Sequence, residues 1–264
     1  MKSSRAVGGA LLAIVLAGSG WLAAAAGAAA ADAAAAPRRD DGRILIGRAP
    51  GESRGLWVPD YSIRAPMFEI DRIAFKPWAK GLYDARQAHD LEPHARCKAS
   101  GAIRQLLTPY GIEILELPEL QRLYIFDIGG PHSFREVYMD GRQHPEELEP
   151  TNYGHNIGWW DGDTLVIDSV GYNTEFWFER AGLPHTEAAH VTEYFTRTDR
   201  NSLRYRFVLD DPLSYDAPVI ANMNLRWGED EELFEFICQQ SNYGPELMVN
   251  EKGESIGHHS LVVP

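Results

Sequence analysis

Only two cysteines, Cys97 and Cys238, occur in the 264 residues. That excludes a disulfide-dense scaffold and a zinc module with four thiolate ligands. Positive charge is scarce as well: 25 Lys and Arg stand against 38 Asp and Glu, a formal net charge of -13. Such a balance leaves no broad basic surface for nucleic acid or an anionic membrane. Gly-x-Ser-x-Gly occurs at Gly51-Glu52-Ser53-Arg54-Gly55 and Gly253-Glu254-Ser255-Ile256-Gly257, in the irregular lead-in and the polar tail rather than between a strand and a helix, so no serine nucleophile elbow is assigned. Glycine-rich phosphate loops are missing too, since Val7-Gly8-Gly9 belongs to a leader segment. What is plentiful is apolar and aromatic: 44% of residues are hydrophobic, with 10 Phe, 11 Tyr and 7 Trp, which excludes a largely disordered chain.

Lys2 and Arg5 precede an apolar, alanine-rich run from Ala6 to about Ala31. A basic head, an apolar stretch and small residues predict a secretory signal peptide over residues 1–31; the alternative is a permanent membrane anchor. No twin arginine and no lipobox cysteine accompany it, which favours the general export route. The mature chain is expected to be periplasmic or secreted, with no membrane contact after cleavage. An oxidising compartment permits a Cys97–Cys238 disulfide. Two separate buried thiols are the other reading.

Residues 32–96 read as an irregular lead-in and wrapping segment, broken by Pro59, Pro66, Pro77 and Pro93, with one short helix within Pro77 to His89. Strand patterns begin near Gly111, and the barrel domain is assigned to residues 97–264. Asp161-Gly162-Asp163 separates two strand-like runs between Ile157 and Val170, the strongest hairpin signal in the chain. A second hairpin spans Val191 to Leu209. A third spans Val219 to Gln239, with Phe234, Phe236 and Cys238 on its second arm. Roughly eight strands in successive hairpins predict an all-β fold: an antiparallel up-and-down, calycin- or lipocalin-like barrel or a strongly curved sheet. A two-sheet sandwich is the runner-up. A barrel of about eight strands has room for one small ligand.

Histidines at strand-to-loop junctions are the candidate chemistry. His155, His185 and His190, with Glu187 between the last two, form an acid–base set if the junctions meet at one barrel mouth. Imidazole takes up and releases protons near neutrality, and a carboxylate beside it fixes its tautomer. His132 lies at another junction. Glu193 shares strand parity with Val191 and Phe195, and a carboxylate on the apolar side is costly unless paired. It is either functional or a structural partner of Arg135, Arg180 or Arg197. Asp168, in parity with Val166 and Val170, has the same ambiguity. Tyr153, Trp159, Tyr172 and Trp177 are candidate substrate contacts, or else core aromatics. The five-residue step from His185 to His190 does not match a helical His-Glu-x-x-His motif, so no metal ligand is assigned. His258-His259 read as a solvated tail pair.

The ordered motifs Asp140-Gly141-Arg142-x-His144-Pro145, Gly154-His155-x-x-Gly158-Trp159-Trp160-x-Gly162-Asp163-Thr164-Leu165-Val166-x-Asp168, Gly182-x-Pro184-His185-x-Glu187, Asp210-Asp211-Pro212 and Glu235-x-x-Cys238 resemble a family of secreted, mostly uncharacterised bacterial proteins. The resemblance covers about Cys97 to Leu247. It implies a shared fold and a shared pocket and no particular reaction. The stretch Cys97-Lys98-Ala99-Ser100-Gly101 departs from the family pattern, which has a proline near this cysteine.

The expected function is a periplasmic acid–base enzyme of the lyase, hydratase or isomerase type. It needs no cofactor and acts on a small apolar or aromatic molecule. His155 or His185 removes a proton, and Glu187 or His190 returns one or orients the base. The alternatives are a non-catalytic small-molecule-binding barrel and a metal-dependent hydrolase or oxygenase.

Overall fold

A computed structural model describes residues 34–62, 68–129 and 133–238. The predicted leader, His132 and His258-His259 lie outside the described residues. Nine strands close into a barrel: β1 (Leu56–Pro59), β2 (Ile112–Leu117), β3 (Arg122–Asp127), β4 (Phe134–Tyr138), β5 (His155–Asp161), β6 (Thr164–Val170), β7 (His190–Arg197), β8 (Ser202–Asp210) and β9 (Val219–Gly228). The all-β barrel expected from the sequence is present. Three details differ. The lead-in supplies β1, which pairs with both β2 and β9 and closes the ring. Residues 231–237 are not strand, so the third hairpin lacks its second arm, and Phe234 is exposed. One pair, β4 with β5, is parallel.

The parallel pair follows from the strand count. Antiparallel neighbours alternate in direction, and an odd ring cannot alternate all the way round. A parallel neighbour cannot be reached by a tight hairpin, because the chain must first run back along the barrel. Residues 139–154 make that return. Gly154, at φ +65°, turns the chain into β5 where a Cβ would lie 2.6 Å from the Val170 carbonyl oxygen. Leu148 of the returning loop packs on Gly171, also at positive φ.

Strand alternation sorts the side chains between the two faces. Val191, Glu193, Phe195 and Arg197 of β7 face inward and are buried, as do Leu203, Tyr205, Phe207 and Leu209 of β8. With Trp57, Ile114, Ile125, Leu165 and Ile167 they form one packed cluster. Ligand space inside the barrel was expected; among the described residues the inward side chains pack on one another instead.

Both mouths are covered. At one, Ile44, Leu45 and Ile46 are buried. Arg197 donates to the Leu45 and Gly47 carbonyls at 2.7 and 3.0 Å, and Trp57 Nε1 donates to Ile46 O at 2.8 Å. At the other, Phe178 packs on Phe207 with ring centroids 5.6 Å apart. Helix α2 (Ala102–Leu106) lies wholly buried there. Helix α1 (Pro77–His89) matches the predicted segment: Pro77 at its first turn has a preset φ, and Arg86 and His89 complement the dipole of its last turn. Trp78 of α1 donates to Leu213 O at 2.7 Å, which ties the helix to the loop between β8 and β9. Cys97 and Cys238 form a disulfide.

Candidate functional site

The outward residues of β5, β6 and β7 meet the returning loop at one end of the barrel. His155 opens β5 opposite Val170, and His190 opens β7 opposite Asp210. Asp168 pairs with Ile157 on one side and Thr192 on the other. It therefore lies diagonally between the two histidines, within side-chain reach. Loop residues 139–154 add His144 on top. His144 Nδ1 is 2.8 Å from His155 Nδ1, and its Nε2 is 3.5 Å from Asp168 Oδ1. His190 Nε2 is 2.5 Å from the same oxygen. The result is a row of four side chains, His155–His144–Asp168–His190, hydrogen-bonded in two pairs whose nearest approach is the 3.5 Å between His144 and Asp168.

Its electrostatics are uneven. The hydrogen bond to Asp168 raises the His190 pKa above the ordinary histidine value, outweighing burial. His155 moves the other way: burial lowers it, helped by His144 and the Arg142 guanidinium. Burial pushes the Asp168 carboxyl up, but the His190 and His144 interactions outweigh this and leave it below the usual range. His144 Nε2 is buried and has no hydrogen-bond partner, because 3.5 Å is too long for one. Flat groups lie alongside. Tyr138 stacks on His155 with centroids 5.0 Å apart, and Arg142 sits 3.9 Å over the Tyr138 ring. Trp159, on the same face of β5 as His155 and beyond Ile157, is exposed.

Two of the four sequence-predicted catalytic residues, His155 and His190, come together here. His185 does not. It is buried between Phe176 and Phe178, at centroid distances of 4.6 and 4.5 Å, with Nε2 2.8 Å from Asn173 O. Burial lowers its pKa to about 4, so it is a neutral core histidine. Glu187 is exposed before β7 and makes no ion pair or hydrogen bond among the described residues. The parity argument for Glu193 holds, but the residue is structural. Arg135 donates to it at 3.1 and 2.5 Å and Tyr205 at 2.8 Å, all inside the barrel. Tyr172 and Trp177 are core residues rather than substrate contacts: Tyr172 is fully buried, and Trp177 is buried beneath Arg86.

Tyr153 joins a second, deeper cluster. Its hydroxyl meets Ser133, and Ser133 Oγ donates to Asp127 Oδ1 at 3.3 Å. Burial raises the Asp127 carboxyl to about 7. Nearby, Ser100 Oγ lies 3.0 Å from His94 Nδ1, and burial, with Arg104 adding to it, lowers His94 to about 4.

Two features of the site differ from the sequence expectation: His144 belongs to it, and Asp168 faces outward rather than sharing an apolar side. The available signals were the Asp140-Gly141-Arg142 turn ahead of His144 and the register of β6, in which Leu165, Ile167 and Ser169 are the inward set. Among the described residues no three His, Cys, Asp or Glu side chains are arranged to hold a metal ion, and no helix is long and apolar enough to cross a membrane. Comparison with known proteins finds no matching family model, no matching curated protein and no matching solved structure.

Proposed function

We propose that the chain is an acid–base enzyme of the lyase, hydratase or isomerase type and that the His155–His144–Asp168–His190 chain is its active site. One observation carries this reading: His155 and His190, held in one network, are displaced in opposite directions from the ordinary histidine value. Two titratable groups pushed apart in this way make a base and an acid available at the same pH. His155, neutral, accepts a proton from the substrate at its Nε2, since Nδ1 is engaged by His144. His190, whose charged form Asp168 favours, gives one up from Nδ1, since Nε2 is engaged by Asp168. Asp168 orients His190 and holds its charge. Tyr138, Ile157 and Trp159 line the adjacent outer face and suit a small apolar or aromatic substrate.

The test needs no prior substrate. Incubating candidate compounds in D₂O and following solvent deuterium uptake by NMR reports any reversible proton abstraction. Asp168→Asn is expected to slow exchange about 10²–10⁴-fold, the usual contribution of a positioned acid or base. The rate is expected to follow a bell in pH, with its lower limb below the ordinary histidine value and its upper limb above it. Undiminished exchange in both Asp168→Asn and His155→Ala would remove the assignment.

A metal-dependent hydrolase or oxygenase on the same side chains is the second reading. It is favoured by the unpartnered His144 Nε2 facing Asp168 beside His190. Two imidazoles and a carboxylate suit zinc or iron, but the three are not arranged as a ligand set, so this reading requires His190 to swing off Asp168 when the ion binds. Titration with Zn²⁺ and Fe²⁺, following the histidine NMR signals, separates the two readings.

A further inference from the structure

A different part of the outer wall carries charge that the acid–base network does not use. On β8, Arg204 and Arg206 point outward and are exposed. Neither makes an ion pair or a hydrogen bond among the described residues, in a chain whose net charge is -13. Elsewhere in the chain many arginines are engaged: Arg38 with Asp163, Arg39 with Glu116, Arg122 with Glu136 and Arg142 with Asp140. Unpaired guanidinium groups side by side in an acidic protein need a separate explanation.

The register gives one. Arg204 is flanked by Thr196 of β7 and Asn224 of β9, and Arg206 by Tyr194 and Asn222. These six residues line an open groove of about 470 Å³, with Asp161 and Thr164 also in its lining. Thr164 and Thr196 are hydrogen-bonded to each other, Oγ1 to Oγ1, at 2.8 Å. Arg226 continues the positive face one row further on, opposite Ser202. Residues two apart on a strand stand about 7 Å apart, so the two guanidinium groups present two carboxylate-sized positions in line. Amide groups flank them on one side, and a hydroxyl and a flat ring on the other.

We propose that this groove binds a carboxylate-bearing sugar chain. Arginine is suited to planar, two-pronged recognition of carboxylates. The asparagine amides and Thr196 match sugar hydroxyls, and the Tyr194 ring offers a flat apolar surface to the C–H face of a pyranose. An acidic peptide fits less well. Peptides gain affinity by adding a strand to a sheet edge, and a closed barrel has no edge to offer. A nucleic acid would need phosphate contacts along a far longer basic track. The single acidic side chain lining the groove, Asp161, lies three strands across from Arg204 in the same row, beyond Thr196 and Thr164. This proposal stands apart from the acid–base reading and needs no turnover.

The test is isothermal titration of the full chain with an oligogalacturonate tetramer. Its methyl ester, free galacturonate and poly-glutamate serve as the other arms. The expected result is saturable binding of the tetramer that weakens at least about 10-fold on esterification, and that also weakens as salt is raised. Arg204→Ala and Arg206→Ala should each weaken it by a similar factor. Both side chains point into solvent, so circular dichroism should show an unchanged fold. Asp168→Asn should leave it unchanged. Equal binding of the methyl ester, retention of affinity in the Arg204→Ala/Arg206→Ala double variant, or tighter binding of poly-glutamate would each overturn the proposal.

Discussion

Two carboxylates on adjacent strands of the same wall show what a single step of strand parity does. Glu193 of β7 faces inward and Asp168 of β6 faces outward, and each is held by a basic partner at 2.5 Å. Glu193 and Arg135 are wholly buried, whereas the His190 side chain is 47% exposed and Asp168 20%. Inside the barrel no water competes for the pair, so a charge left alone there is costly and the pair is fixed. On the outer face the partner is an imidazole that solvent can reach, and its protonation changes near neutrality. The first pair is sealed inside the barrel; the second stands where solvent and a ligand can reach it.

That comparison breaks most visibly at Glu193. Glu193→Ala leaves Arg135 buried without a counter-charge and Tyr205 without its acceptor. It is expected to cost about 3–5 kcal/mol in urea denaturation followed by tryptophan fluorescence. The Arg135→Met/Glu193→Leu double variant, which removes both charges, should recover most of that loss. A double variant as unstable as the single one would show that the pair is more than a solution to its own burial.

A smaller effect sharpens the contrast between His185 in the core and His190 on the wall. The folded pKa of His185 is depressed to about 4. Its contribution is fully present above the unfolded value near 6.5 and is lost as pH falls toward 4, up to about 3 kcal/mol in total. The folded pKa of His190 is raised, so its contribution is present below the unfolded value and is lost as pH rises through the folded one. His94 is depressed in the same way, so stability curves from pH 4 to 9 should show a shallower acid-side slope in His185→Gln, not a vanished one, and an unchanged one in His190→Gln. The reverse assignment would place the buried histidine on the wrong side of the wall. Smallest of all is the effect of Asp168→Asn on stability. A half-exposed pair of this kind contributes at most about 1 kcal/mol, so the variant should denature almost as the parent does while its proton exchange falls steeply.

The sequence made the strands legible because apolar periodicity of two is a local signal. The Asp161-Gly162-Asp163 turn, the β7–β8 hairpin and the helix at Pro77–His89 each depend on neighbours a few residues away. The inward position of Glu193 was equally readable from its parity with Val191 and Phe195. Two features were not readable. Residues 56–59 close the ring only because β9 and β2 are free to take them on either side, a long-range pairing with no local mark. His144 joins the cluster only because the loop carrying it must return along the outside of an odd-stranded barrel. His185 misled for the same reason. A histidine at a strand-to-loop junction reads alike whether the junction lies at the surface or beneath a cap of Phe176 and Phe178.

By itself the sequence determined an acidic, aromatic-rich β protein with a hairpin-built wall and a handful of junction histidines, because composition and periodicity act within a few residues. Tertiary structure alone decided which histidines meet. Face, register and the path of a return loop are set by ring closure, and ring closure is a property of all nine strands at once.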